Sequence, residues 1–143
     1  MKLNRKTLLL LAGALFSPVT AVANTYIGEV CLALQHSDGT DRNFKLGISF
    51  VGDNHYSVNG QWIKGDLTAK SPVHGNLEVI DGMIEISTVR IGSSSSDVQF
   101  RAHNFKLDSS FNGTAKWMKI NRSDGIVGGN EAPVVLIDCA TLP

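Results

Sequence analysis

The chain has 143 residues, 43% of them hydrophobic, with 13 Lys+Arg balanced by 13 Asp+Glu. That balance, with no basic run, argues against nucleic acid as a partner. The length suits a single core, and no stretch after the first segment approaches the ~18 apolar residues that a spanning helix needs.

Lys2, Arg5 and Lys6 precede an apolar run from Leu8 to Phe16, and Ala21-Val22-Ala23 offers a small-x-small cleavage site. This pattern predicts a signal peptide over 1–23, cleaved after Ala23, and a periplasmic or secreted product. The remaining 24–143 is expected to form one domain with 10 Lys+Arg against 13 Asp+Glu. In an oxidising compartment Cys31 and Cys139 are expected to pair, tying the first structural element to the last. No CxxC or neighbouring histidine suggests a thiol site or metal ligation.

From residue 24 onward, short segments rich in Val, Ile, Phe, Tyr and Thr alternate with Gly, Asp, Asn and Ser clusters. Strands are expected at 25–34, 43–51, 55–62, 72–80, 83–91, 97–107, 113–121 and 133–139, with no convincing helical period. Two hairpins specify their own register. Around Gly52-Asp53-Asn54, Phe50 meets Tyr56, Ile48 meets Val58, Leu46 meets Gly60 and Phe44 meets Trp62. Around Asp81-Gly82, which suits a tight primed turn, Ile80 meets Met83, Val79 meets Ile84 and Leu77 meets Ile86. Each hairpin then has one apolar face and one carrying residues such as Glu78, Glu85, Asn76 and Ser87. In the sixth strand Phe100 and Ala102 share one face while Phe105 and Leu107 share the other, so a bulge is expected near His103-Asn104.

Eight sequential strands with no helix to cover them must bury their apolar faces in a barrel or between two sheets. An eight-stranded antiparallel up-and-down barrel is favoured, because closure sets the first strand beside the last, where the cysteines lie. A Greek-key sandwich is the alternative. The segments Phe44-Lys45-Leu46-Gly47-Ile48-Ser49-Phe50, His55-Tyr56, Ser71-Pro72-Val73-His74-Gly75-Asn76-Leu77-Glu78-Val79 and Asn112-Gly113-Thr114 resemble small exported bacterial proteins with calycin-like, lipocalin/avidin-type barrels. The resemblance implies the fold and carries no catalytic or binding residue.

Few constellations suggest chemistry. Glu78 opposite Glu85 forms an acid pair that reads as two solvated carboxylates. His36, His55, His74 and His103 lack metal-ligand spacing. Ser93 to Ser96 have no nucleophile-elbow context. Gly125, Gly128 and Gly129 resemble a phosphate loop without its Lys-Ser/Thr, and read as a mobile rim loop. No acid, base and nucleophile set stands out, so a non-enzymatic role without a cofactor is expected. The inward set is headed by Phe44, Tyr56, Trp62, Phe100 and Trp117. If Gly60, Gly75 and Ala102 leave space, these five would line a site for a small apolar ligand at the barrel mouth. If the interior is filled, the expectation is a protein-interaction module, such as an inhibitor of lysozyme or of a protease, contacting its unknown partner through loops 35–42, 92–97 and 122–131.

Overall fold

The computed structural model describes residues 24–35, 42–92, 98–129 and 131–143. The expected signal peptide, His36 and Ser93 to Ser96 lie outside the described residues, as do parts of the three expected contact loops. Nine strands follow in chain order: β1 (Thr25–Leu34), β2 (Arg42–Gly52), β3 (His55–Lys64), β4 (Lys70–Ile80), β5 (Met83–Ile91), β6 (Val98–Leu107), β7 (Gly113–Asn121), β8 (Gly125–Gly128) and β9 (Ala132–Ile137). Each pairs antiparallel with its neighbour from β1 to β7, and β9 pairs with both β7 and β1. The sheet therefore closes on itself as an up-and-down barrel.

Both sequence-specified hairpins form in the expected register. Asp81 and Gly82 take positive φ values of 52° and 78°, the two-residue primed turn that matches strand twist. The eighth wall of the barrel is split between two strands. β8, expected as a mobile rim loop, pairs with the upper half of β7 from Met118 to Asn121, and β9 pairs with its lower half. Alternation is too short in a four-residue strand containing two glycines to mark it in the sequence.

β6 corrects another expectation. Its pairing runs without interruption past His103-Asn104, and the one irregularity opposite β7 falls between Val98 and Phe100. Arg101, His103, Phe105 and Leu107 all face inward and are buried, which leaves Phe100 and Ala102 on the outer face. The phase change inferred from apolar residues was produced by two polar residues pointing into the barrel.

The interior is packed with side chains. Leu32, Leu34, Phe44, Leu46, Val58, Val73, Ile86, Phe105 and Leu107 are fully or almost fully buried in one cluster, with Tyr56, Ile84 and Phe111 against it. Gly60 and Gly75 open no space. A Cβ on Gly60 would sit 2.0 Å from the Lys45 carbonyl oxygen, and one on Gly75 would sit 1.8 Å from that of Ser87. These glycines let neighbouring strands bend into each other where the sheet coils into a barrel.

The chain end wraps the outside. Cys139 opens a 3-10 turn, Cys139–Thr141, directly after β9, and its disulfide to Cys31 on β1 spans 108 residues of sequence. Asp138 caps that turn by accepting from the Ala140 N–H. Leu142 then packs on Cys31 and Ile63, forming a small second cluster on the outer face.

Candidate functional site

The two ends of the barrel differ in kind. The lower end carries the turns at Asp53-Asn54 and Asp81-Gly82 and the loop at Asp108. There the Asp108 carboxylate accepts from the backbone N–H groups of Ser110 and Asn112, and the Phe111 ring packs against the core. The upper end holds the starts of β2 and β6 and the ends of β3, β5 and β7, and its inward side chains are cationic and aromatic.

Strand register builds this upper end in layers. Ile86, Phe105 and Ala115 are successive cross-strand partners on β5, β6 and β7 and form an apolar layer. The next inward layer up is Thr88, His103 and Trp117, and the one above it is Arg90, Arg101 and Lys119. Arg42 enters from β2, two residues before Phe44 on the same face. Three adjacent strands thus place three cations side by side on one inward rung. Like charges directly opposite each other destabilise a sheet. This arrangement costs folding energy and does not pack a core.

Aromatic rings hold the guanidinium groups in place. The Arg90 Cζ lies 4.2 Å from the Trp62 ring centroid and the Arg42 Cζ 6.0 Å from the same ring. On the next two strands the Arg101 Cζ is 5.3 Å from the Trp117 centroid, with the Lys119 Nζ at 5.9 Å. Cation–π attraction of this kind fixes a guanidinium without neutralising it. Arg90 also donates to the Ser71 hydroxyl at 2.9 Å. Trp117 in turn rests on Gly129, where an added Cβ would fall 1.7 Å from the ring.

Arg101 is only 9% exposed, and among the described residues none of Arg90, Arg101 and Lys119 forms an ion pair with a carboxylate. Burial, then repulsion from Arg42 and Arg90, pushes the Arg101 guanidinium down to about 10. Burial, with repulsion from Arg42, lowers Arg90 as well. Trp62 Nε1, Thr88 Oγ1, Arg90 Nε, Arg101 Nε and Asn121 Oδ1 are buried without a hydrogen-bond partner among the described residues. All five sit at this end of the barrel. Unsatisfied buried polar atoms are rare in folded proteins, and their concentration in one place makes this end the candidate site.

The five residues expected to line a mouth are dispersed. Trp62 and Trp117 are in it, acting as backing for arginines. Phe44 is fully buried just below, edge-on to His103 at 4.8 Å and to Phe105 at 5.0 Å, so it forms part of the floor. Tyr56 belongs to the lower end, six residues from Trp62 along β3 and so about 20 Å away at the rise of a strand. Phe100 faces outward, between Ile91 and Ile120. The basic residues Arg42, Arg90, Arg101 and Lys119 were missed because an arginine in an alternating strand reads as solvent-facing. One signal was available: Arg90 and Lys119 share the phase of buried apolar residues in their own strands.

The other constellations resolve into ordinary surface chemistry. Glu78 and Glu85 are cross-strand partners on the outer face, paired with His55 and Lys106 respectively. His74 shares a 2.8 Å hydrogen bond with Asn59. Glu29 lies near the sulfurs of Cys31 and Cys139, but both sulfurs are committed to the disulfide. On the outer face near the upper end, Ile91, Phe100, Ile120 and Ile126 line up across four strands, with Ile91 78% and Ile126 72% exposed.

Fold and site together define a closed antiparallel barrel with a filled interior and a cationic, tryptophan-backed rung at one end. Comparison of the chain with protein-family models, with functionally described proteins and with solved structures finds no match.

Proposed function

We propose that this protein is an exported binding protein whose upper barrel end takes a small ligand through an anionic group. The observation that carries the reading is the inward rung Arg90–Arg101–Lys119, with Arg101 buried and without a carboxylate partner among the described residues. A desolvated guanidinium gains most from an oxyanion, which supplies both charge and the fork-shaped acceptor that its N–H groups require. The expected apolar ligand becomes an amphipathic one, since Trp62 and Trp117 are stacked with arginines and the volume below them is filled.

The disulfide and the 1–23 leader pattern support an oxidising compartment outside the cytoplasm. No helix among the described residues is long and apolar enough to cross a membrane. The strands bury their apolar faces inward and carry Lys45, Glu78, Glu85, Asn104, Lys106 and Lys116 outward, the reverse of a membrane barrel.

Thermal-shift measurements with anionic and neutral small molecules at matched ionic strength test the reading. Anions are expected to raise the melting temperature of the native protein and to leave Arg101→Gln unmoved. Equal shifts in both proteins would discard it. A second reading, a protein-interaction module, draws on the exposed Ile91–Phe100–Ile120–Ile126 row, and it predicts that Ile91→Ser with Ile126→Ser abolishes partner capture while anion binding persists.

A further inference from the structure

The cationic mouth does not suit a single carboxylate. Successive cross-strand Cβ atoms lie about 5 Å apart, so the rung from Arg90 through Arg101 to Lys119 extends over roughly 10 Å. One carboxylate reaches one or two of these groups and leaves the others repelling each other, and Arg42 adds to that repulsion from the facing strand. The tryptophans sharpen the point. Trp62 and Trp117 already carry guanidiniums on their rings, so recognition rests on charge and oxygen geometry and not on stacking with the ligand. The floor limits depth, because Phe44, His103 and Phe105 are buried and in ring contact beneath the rung. Only the charged head of a ligand enters.

Resting on the anion-binding reading above, we propose that the mouth recognises two linked oxyanions, as in a diphosphate group, with Arg90 and Arg101 gripping one and Lys119 the other. Arg90 and Arg101 are adjacent on the rung, and their forks can share the oxygens of one tetrahedral group. Lys119, at the open end of β7, is a point charge suited to the second. The remainder of the ligand stays outside the barrel, so the site is selective for the head and tolerant of what the head is attached to.

Calorimetric titration of the disulfide-bonded protein with inorganic pyrophosphate, orthophosphate and acetate at constant ionic strength tests this. Pyrophosphate is expected to bind at least about tenfold more tightly than orthophosphate, with acetate weakest, since each added charge-assisted contact strengthens binding. Lys119→Gln, on a partly exposed side chain, is expected to weaken pyrophosphate binding at least about fivefold more than orthophosphate binding and so to remove the preference. Arg101→Gln is expected to weaken both phosphates, and far-UV circular dichroism checks that each variant retains the barrel. Equal affinity for pyrophosphate and orthophosphate, or a preference that survives in Lys119→Gln, overturns the two-oxyanion assignment while leaving the anion-binding reading standing. Absence of binding by every anion overturns both.

Discussion

Arg90 and Arg101 are direct cross-strand partners on the inner face of the β5–β6 pair, so two guanidiniums share one rung of a closed barrel. A buried cation without a counter-ion opposes folding, and replacing it by an apolar group of similar length removes the desolvation cost. Arg101→Met is therefore expected to stabilise the ligand-free protein by about 1 kcal/mol while eliminating anion binding. Urea unfolding with and without phosphate measures both effects. A destabilised variant would show that the guanidinium is already compensated in the free protein.

The same desolvation sets a pH dependence. Arg101 has its folded-state value lowered to about 10, so it binds its proton less readily in the barrel than in the unfolded chain. Its contribution to stability is therefore unfavourable below about 10 and is relieved as the pH rises from there towards the ordinary arginine value. Anion affinity moves the opposite way, falling as the pH rises through about 10 because the charge that binds the ligand is lost. Comparing the native protein with Arg101→Gln isolates the contribution of this residue. Identical alkaline profiles would exclude it as the titrating group.

Trp117 depends on a glycine. A Cβ at Gly129 would strike the indole, whereas one at Gly128 meets nothing within 4 Å. Gly129→Ala is expected to cost about 1–3 kcal/mol through overpacking and to shift tryptophan fluorescence as the ring moves. Gly128→Ala changes neither stability nor spectrum appreciably. If the two variants behave alike, the ring does not rest on that backbone.

The orientation of β6 is tested by two phenylalanines. Phe44→Ala removes a fully buried ring between His103 and Phe105 and is expected to cost about 3–5 kcal/mol. Phe100→Ser, on the outer face, is expected to cost less than about 1 kcal/mol. A large loss at Phe100 in denaturant melts would restore the inward placement that the apolar pattern suggested.

The disulfide closes a loop of 108 residues. Chain-entropy arithmetic assigns such a closure about 4–5 kcal/mol, acting through the unfolded chain. Reduction, or the double change Cys31→Ala with Cys139→Ala, is expected to lower stability by several kcal/mol, with Leu142 loosened from its seat on Cys31 and Ile63. Equal melting of oxidised and reduced protein would assign the bond no role in stability.

Much of the fold was legible because its signals are local. Alternation in 43–51, 55–62 and 72–91 fixes two hairpins, since a slip of one residue would turn every apolar side chain to water. The Asp81-Gly82 turn states its own geometry. The cysteine pair follows from compartment and from the adjacency of first and last strands that closure brings. The site was not legible for the same reason. Phe100 was read as lining because apolar residues are assumed to point inward, and Arg101 as surface because charged ones are assumed to point out. β6 reverses both assumptions over four residues.

What the sequence by itself determined is the strand pattern, the register of two hairpins, the pairing of Cys31 with Cys139 and the core residues of the β2–β3 hairpin, because each follows from side-chain period or from the chemistry of a residue type. Only the tertiary structure decided that the interior is filled, that the eighth wall is split into β8 and β9, and that Arg90, Arg101 and Lys119 share one rung. Those residues lie on three strands and become neighbours through the combined registers of β5, β6 and β7. A charge gains its meaning from what surrounds it, and that is set by closure of the barrel.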